Sequence, residues 1–376
     1  MQRARSMLVS LALLGLTACS SADGGRAIPT GSVTPPDAAV LGDIVFNRIS
    51  AGADLALFTI GLDGSNERQI RVLGNFVTLS PDESRFIGAV PGSDGRITPE
   101  TFDLDGSGYS VLLIDNPTLQ VGDVRWSPDG TRILAHGWDD TDPSRKGLYT
   151  LDSSDGSDIV RLTDPGDPDD YPITYSPDGT KVLLGRDAPP YDHHGAMTLM
   201  AVNAGGSDLV RLNPPGTTSG LTFSTGSASW SPDGRQVAFV ASKGSFPDDP
   251  RAVFVTDADG TRVQRITPWN VTLTAQWSPD GTWIAFDMSR DDGPHDLFVV
   301  HPDGRERTQI TSSEDGLFSF GPAWSSDSSK LLFVRGAGEF DDTDLWIVNA
   351  DGTGLAQITH QPGEYGGYGW LSTPGS

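Results

Sequence analysis

Trp230-Ser231-Pro232-Asp233-Gly234, continued by the apolar run Gln236-Val237-Ala238-Phe239-Val240-Ala241, decides how this chain folds. Proline presets φ at the second position of a tight turn, aspartate can bond the backbone ahead of it, and glycine accepts positive φ. The segment therefore joins two antiparallel strands. After a polar loop over 242–250, Arg251 to Thr256 reads as a third strand, Asp259-Gly260 as a hairpin and Val263 to Thr267 as an outer strand. The chain then crosses inward after Pro268, and Leu273 to Trp277 opens the next copy. Four short strands per period, with no helical periodicity between them, make one blade.

The same turn recurs as Trp126-Ser127-Pro128-Asp129-Gly130, Tyr175-Ser176-Pro177-Asp178-Gly179 and Trp277-Ser278-Pro279-Asp280-Gly281. Weaker copies start at Leu79 and Trp324, and a last remnant starts at Trp370. Successive copies begin 47, 49, 55, 47, 47 and 46 residues apart, a period that fits a propeller blade rather than a solenoid repeat. At the N-terminal end, Ile44 to Arg48, Leu55 to Ile60 with Asp63-Gly64, and Gln69 to Leu73 supply three strands without an innermost partner. At the other end Tyr365 to Trp370 supplies an innermost strand with nothing after it. Joining the two completes a blade, closes the ring and removes exposed sheet edges. The expectation is an all-β propeller of seven four-stranded blades over 42–371, closed by N- and C-terminal strands, with 372–376 as a tail. Six blades is the alternative, because the unit from Arg85 to Asp115 is degenerate and its third strand, around Thr101 to Leu104, is weakly patterned.

Composition agrees with many turns and few helices: the 376 residues include 45 Gly and 27 Pro. A formal charge of −24 disfavours nucleic acid as a partner, since phosphates would be repelled. It favours a soluble monomer and leaves cations, basic proteins and neutral ligands open.

Near the N-terminus Arg3 and Arg5 precede an apolar run from Met7 to Leu16, an export-signal pattern too short for a permanent membrane span. The run ends in Leu16-Thr17-Ala18-Cys19, which resembles the lipobox of bacterial lipoprotein signal peptides. That resemblance implies cleavage of residues 1–18 and a diacylglyceryl group on Cys19. Cys19 is the chain's single cysteine and has no internal disulfide partner. Residues 19–41, rich in Gly, Pro, Ser and Thr, then read as a flexible tether, with the acyl chains as the membrane attachment. The expected location is lipid-anchored on the bacterial membrane or cell surface.

Leu345-Trp346-Ile347-Val348-Asn349-Ala350-Asp351-Gly352 with Gln357-Ile358-Thr359 is similar to the repeat of TolB and its relatives, WD40-like (PD40) propellers of the periplasm and cell surface. The similarity spans about 42–371 and is specific for the fold, not for a function.

Catalytic signatures are sparse. There is no Gly-x-Ser-x-Gly elbow, and the six histidines, His136, His193, His194, His295, His301 and His360, lack zinc-type spacing. The Asp-Gly pairs at Asp63, Asp105, Asp155, Asp259, Asp303 and Asp351 read as hairpin turns. No cofactor is expected, with Ca²⁺ or another divalent ion as the exception that acidic turns would permit. The large residue before each Ser-Pro reads as a wedge between blades.

If the Ser-Pro-Asp-Gly and Asp-Gly turns share one rim, the longer and chemically varied loops share the other. Aromatic rings stand beside carboxylates there, a combination suited to a basic or hydroxyl-rich partner. The candidates are Trp138, Asp139, Asp140, Tyr191, His193, His194, Phe246, Asp248, Asp249, Asp291, Asp292, His295, Phe340 and Asp341. The expected function is non-catalytic binding of an envelope protein or glycan by this rim. The alternative is a metal-assisted polysaccharide lyase or hydrolase, because some polysaccharide lyases resembling this fold hold a metal with histidines near the channel.

Overall fold

The structure is a computed structural model that describes residues 43–49, 55–73, 77–92, 95–165, 168–187, 197–217, 227–243, 250–289, 293–337, 343–361 and 363–371. Residues 1–42, and with them the signal peptide, Cys19 and the tether, lie outside the described residues.

The chain folds as seven antiparallel four-stranded blades. Blade five shows the plan: Ala228–Trp230, Gln236–Ser242, Arg251–Asp257 and Val263–Arg265 pair in that order. First strands of successive blades approach one another around the axis, so the first strand is innermost. A single pairing of Arg251 with Val271 stitches blade five to blade six.

The degenerate unit is a complete blade. Its third strand is Ile97–Asp103, longer than the sequence suggested, pairing with Arg85–Pro91 on one side and Ser110–Val111 on the other. Its weak pattern has a physical source: Pro99, Glu100 and Thr101 interrupt the apolar alternation. The ring therefore has seven blades and not six.

Closure takes the expected form. Ile44–Ile49 pairs with Leu55–Ile60 on one edge and with Glu364–Trp370 on the other, in a register running from Ile44 opposite Trp370 to Ile49 opposite Glu364. Gly64, at φ +78°, lies so close to the blade-seven strand that an added Cβ would fall 2.8 Å from the Ile358 carbonyl.

The second and third strands read as nearly unbroken apolar runs, and burial explains why. Each blade is covered on both faces by its neighbours, so Val237, Ala238, Phe239, Val240 and Ala241 are all fully buried. Each of the seven blade interfaces has its own apolar cluster. At the closing interface Ile44, Phe46 and Phe58 pack on Leu332, Val334 and Leu345.

The repeated turn is cross-braced. In blade five Ser231 Oγ donates to Asp233 at 2.7 Å and accepts from the Gln236 N–H at 2.9 Å, while the Arg235 N–H donates to Asp233 at 3.1 Å. Blades two, three, four, six and seven repeat the Ser–Asp bond at 2.5–2.6 Å. These turns join first to second strands and the Asp-Gly hairpins join third to fourth. Antiparallel order therefore puts both on one rim and leaves the opposite rim to the longer loops.

Candidate functional site

On the long-loop rim, the connection between the second and third strands of blade three, Arg132–Trp138 and Gly147–Asp152, is described in full. Its geometry depends on Asp139, which is buried. That carboxylate accepts from Thr118 Oγ1 at 2.5 Å, from the Thr141 N–H and hydroxyl at 2.8 and 2.6 Å, and from Arg145 Nη1 at 3.1 Å. The threonine hydroxyls and the Arg145 charge hold its pKa well below the usual carboxylate range. A 3₁₀ turn, Pro143–Arg145, completes the loop, capped by Asp142 accepting from the Ser144 N–H at 3.1 Å. Few free torsions remain in such a loop, so whatever it displays is held in place.

At the start of the loop stands a row of rings. Trp138 is half-buried and stacks on His136 with centroids 5.4 Å apart, and His136 meets Tyr171 of blade four at 5.1 Å. Gly122 makes room for the indole, since an added Cβ would sit 3.3 Å from the ring. Behind the rings Asp169, only 8% exposed, accepts from Tyr171 Oη at 2.9 Å, pairs with Lys146 Nζ, and lies 3.3 Å from His136 Nε2. Burial pushes the Asp169 carboxyl upward, but hydrogen bonds and charge from His136 and Lys146 outweigh it and bring the pKa down to about 2. Burial, reinforced by the Asp169 charge, drives the Tyr171 hydroxyl upward, so it stays protonated.

Asp140 is exposed and accepts from Gln120 Nε2 at 2.7 Å, while Gln120 Oε1 accepts from the Ile97 N–H of blade two at 3.2 Å. In blade four Arg186 forks onto the fully buried Asp170 at 2.8 and 2.9 Å. Blades two, three and four therefore meet here: the half-buried Trp138 and Tyr171 and the exposed Asp140 reach solvent, and His136, Gln120, Asp139 and Asp169 are buried behind them. Such a surface can stack against an apolar or sugar face and accept hydrogen bonds around it.

Of the candidates read from sequence, Trp138, Asp139 and Asp140 come together here. Trp138 and Asp140 face outward, and Asp139 supports the loop from inside. His295 lies elsewhere, at the start of the third strand of blade six, edge-on to Phe318 and Phe320 of blade seven at 5.8 and 5.2 Å. Burial, helped by the Arg251 charge, lowers its pKa to about 4. Tyr191, His193, His194, Phe246, Asp248, Asp249, Asp291, Asp292, Phe340 and Asp341 lie outside the described residues. Among the described residues no three His, Cys, Asp or Glu side chains gather as a metal site would require.

Sequence reasoning did not single out Asp169, Tyr171, Lys146 or Gln120, and it noted His136 only among six histidines without zinc-type spacing. The available signal was the Asp169-Asp170-Tyr171 run at the start of the innermost strand Asp170–Tyr175, where apolar residues would otherwise be expected.

No family model matches the chain. Among solved structures it is similar to an oligogalacturonate lyase in complex with manganese, at 16% identity and a TM-score of 0.59, covering 79% of this chain and 83% of that one. It is similar to a puromycin hydrolase S511A mutant complexed with PGG, at 14% identity and a TM-score of 0.61, covering 86% of this chain and 53% of that one. TolB from Acinetobacter baumannii aligns at 16% identity with a TM-score of 0.47, over 87% of this chain and 82% of that one. What is shared is the propeller. The chain spans about half the length of the hydrolase, and at such identities the likeness extends to the fold alone. Seven closed four-stranded blades are also the fold that a TolB-like repeat implies.

Proposed function

We propose that this chain is a non-catalytic recognition propeller of the bacterial envelope, lipid-anchored through Cys19, that binds an envelope protein or glycan with its long-loop rim. The observation that supports this most strongly is the surface at the junction of blades three and four. There the internally bonded Asp139 fixes a loop that holds Trp138 half-exposed beside the exposed Asp140. An aromatic anchor on a rigid support loses little conformational entropy on binding, which is how a few residues come to dominate an interface.

The test is affinity capture from intact cells with the mature protein, run beside Trp138→Ala/Asp140→Lys. A species retained by the native chain and lost by the double variant, at unchanged thermal stability, supports the reading. Equal retention by both proteins contradicts it. Labelling with radioactive palmitate, present in the native chain and absent in Cys19→Ser, tests the anchor separately.

A further inference from the structure

The innermost strands share a second feature, set deeper than the rim. Pairing with the second strand slips at a similar level in five blades: between Gly122 and Arg125, Pro172 and Thr174, Val271 and Ala275, Phe320 and Ala323, and Gly366 and Tyr368. A bulge leaves backbone polar groups outside the ladder. Five at a similar height place a band of such groups around the axis. Asp123, in the blade-three bulge, adopts φ +50°, a conformation rare for a residue with a side chain.

Arg125 belongs to this band. It is the one cationic side chain on the described innermost strands of a chain that carries 24 excess negative charges. Three other arginines drawn out of solvent hold a carboxylate: Arg48 forks onto Glu67 at 2.8 and 3.1 Å, Arg186 onto Asp170, and Arg335 reaches Asp315 at 2.8 Å. Arg125 does not. Its Nη1 donates to the adjacent Val124 carbonyl at 2.8 Å, and its Nε is buried without a partner. Asp123 acts on it only through space, and burial raises the Asp123 pKa, which weakens it as a counter-ion. A guanidinium taken partly out of water without a bonded acceptor is unfavourable, and an oxyanion entering the channel would relieve it with charge-assisted bonds.

We propose that the channel binds a ligand bearing a single carboxylate, with Arg125 as its anchor. One negative charge matches one guanidinium, whereas a dianionic phosphate would meet the neighbouring Asp123. The proposal is independent of the rim surface, although the two are neighbours: Asp123 is close enough to Tyr171 to raise its pKa.

The experiment is calorimetric titration of the mature protein with two carboxylates from different chemical sources, N-acetylglycine and glucuronate, against their neutral counterparts N-acetylglycinamide and glucose. Arg125→Gln and Arg125→Lys are titrated in parallel, and thermal unfolding reports whether each variant folds. Saturable binding of at least one carboxylate is expected, at least tenfold tighter than its neutral counterpart. Arg125→Gln should abolish it and Arg125→Lys should retain part of it. The arm that binds distinguishes a peptide-like from a sugar-like source. Equal affinity in native and Arg125→Gln proteins, equal affinity for charged and neutral probes, or no binding in either arm overturns the proposal. If the rim partner still binds Arg125→Gln but not Trp138→Ala, the rim reading stands whatever the outcome here.

Discussion

Trp370 Nε1 donates to the Ala323 carbonyl at 3.0 Å, tying the last strand of the chain to the innermost strand of the blade before it. Trp324 makes the same bond to Gln276 at 3.2 Å, and Trp126 makes it to Thr78 at 3.3 Å. In these three blades the aromatic residue before the repeated turn is thus a wedge with a directional latch, which the closing strand shares, whereas the indole nitrogens of Trp230 and Trp277 are buried without a partner.

Loss of the closing strand should therefore open the ring. Deleting residues 364–376 removes the fully buried Tyr365 and exposes the edge of Ile44–Ile49. Tyr365→Ala alone should cost about 3–5 kcal/mol by the usual price of emptying a buried aromatic site. Chemical denaturation checks this, with a midpoint shift expected for Tyr365→Ala and aggregation or loss of the cooperative transition for the deletion.

Acid should loosen the turn rim. Asp82, Asp129, Asp178, Asp233, Asp280 and Asp327 all have lowered pKa values. Serine hydroxyls and backbone N–H groups bond their ionised forms, against a burial penalty that is the largest single influence only at Asp280. Groups with a depressed folded pKa contribute stability that is present above the unfolded value and lost as pH falls through the folded one. Asp327, at about 2, marks the lower end. The melting temperature should decline from near pH 4 toward pH 2, and replacing several of these aspartates by asparagine should flatten that decline.

Asp287 should act in the opposite sense. Buried in blade six, it accepts from Thr274 Oγ1 and from the Gly321 N–H, yet burial outweighs these bonds and lifts its pKa to about 7. An acid with a raised folded pKa contributes stability that is complete below its unfolded value, near 4, and lost as pH rises through about 7. Asp287→Asn, which keeps one acceptor oxygen, should remove this loss and raise the melting temperature at pH 8 relative to the native chain. A native melting temperature that does not change between pH 5 and pH 8 would count against it.

The fold could be read from the sequence because the determining chemistry is local and repeated. Ser-Pro-Asp-Gly specifies a turn wherever it stands, and incomplete units at both ends point to each other. Blade two was harder to read because Pro99 and Glu100 break the apolar pattern of a strand that nonetheless pairs along its length. Trp138 and Asp140 were visible as rim residues, but position in a loop does not say which carboxylate turns inward, and Asp139 does so because Thr118 meets it from a preceding loop and Arg145 from the far end of its own. The Asp169, Tyr171 and His136 cluster forms between blades from residues 33 and 35 positions apart, and a local run such as Asp169-Asp170-Tyr171 does not say which partner it will meet. Asp287 did leave a trace, as a lone acid inside the apolar strand Ile284–Ser289.

Recognition by the aromatic rim is tested most directly by the dissociation constant of the captured partner, measured for Trp138→Ala and for Asp303→Lys on the opposite rim. Trp138→Ala should weaken binding about 30-fold, the scale of a 2 kcal/mol anchor residue, while Asp303→Lys leaves it within twofold of the native value. An unchanged constant for Trp138→Ala, or a comparable loss in both variants, would contradict the assignment of the binding face.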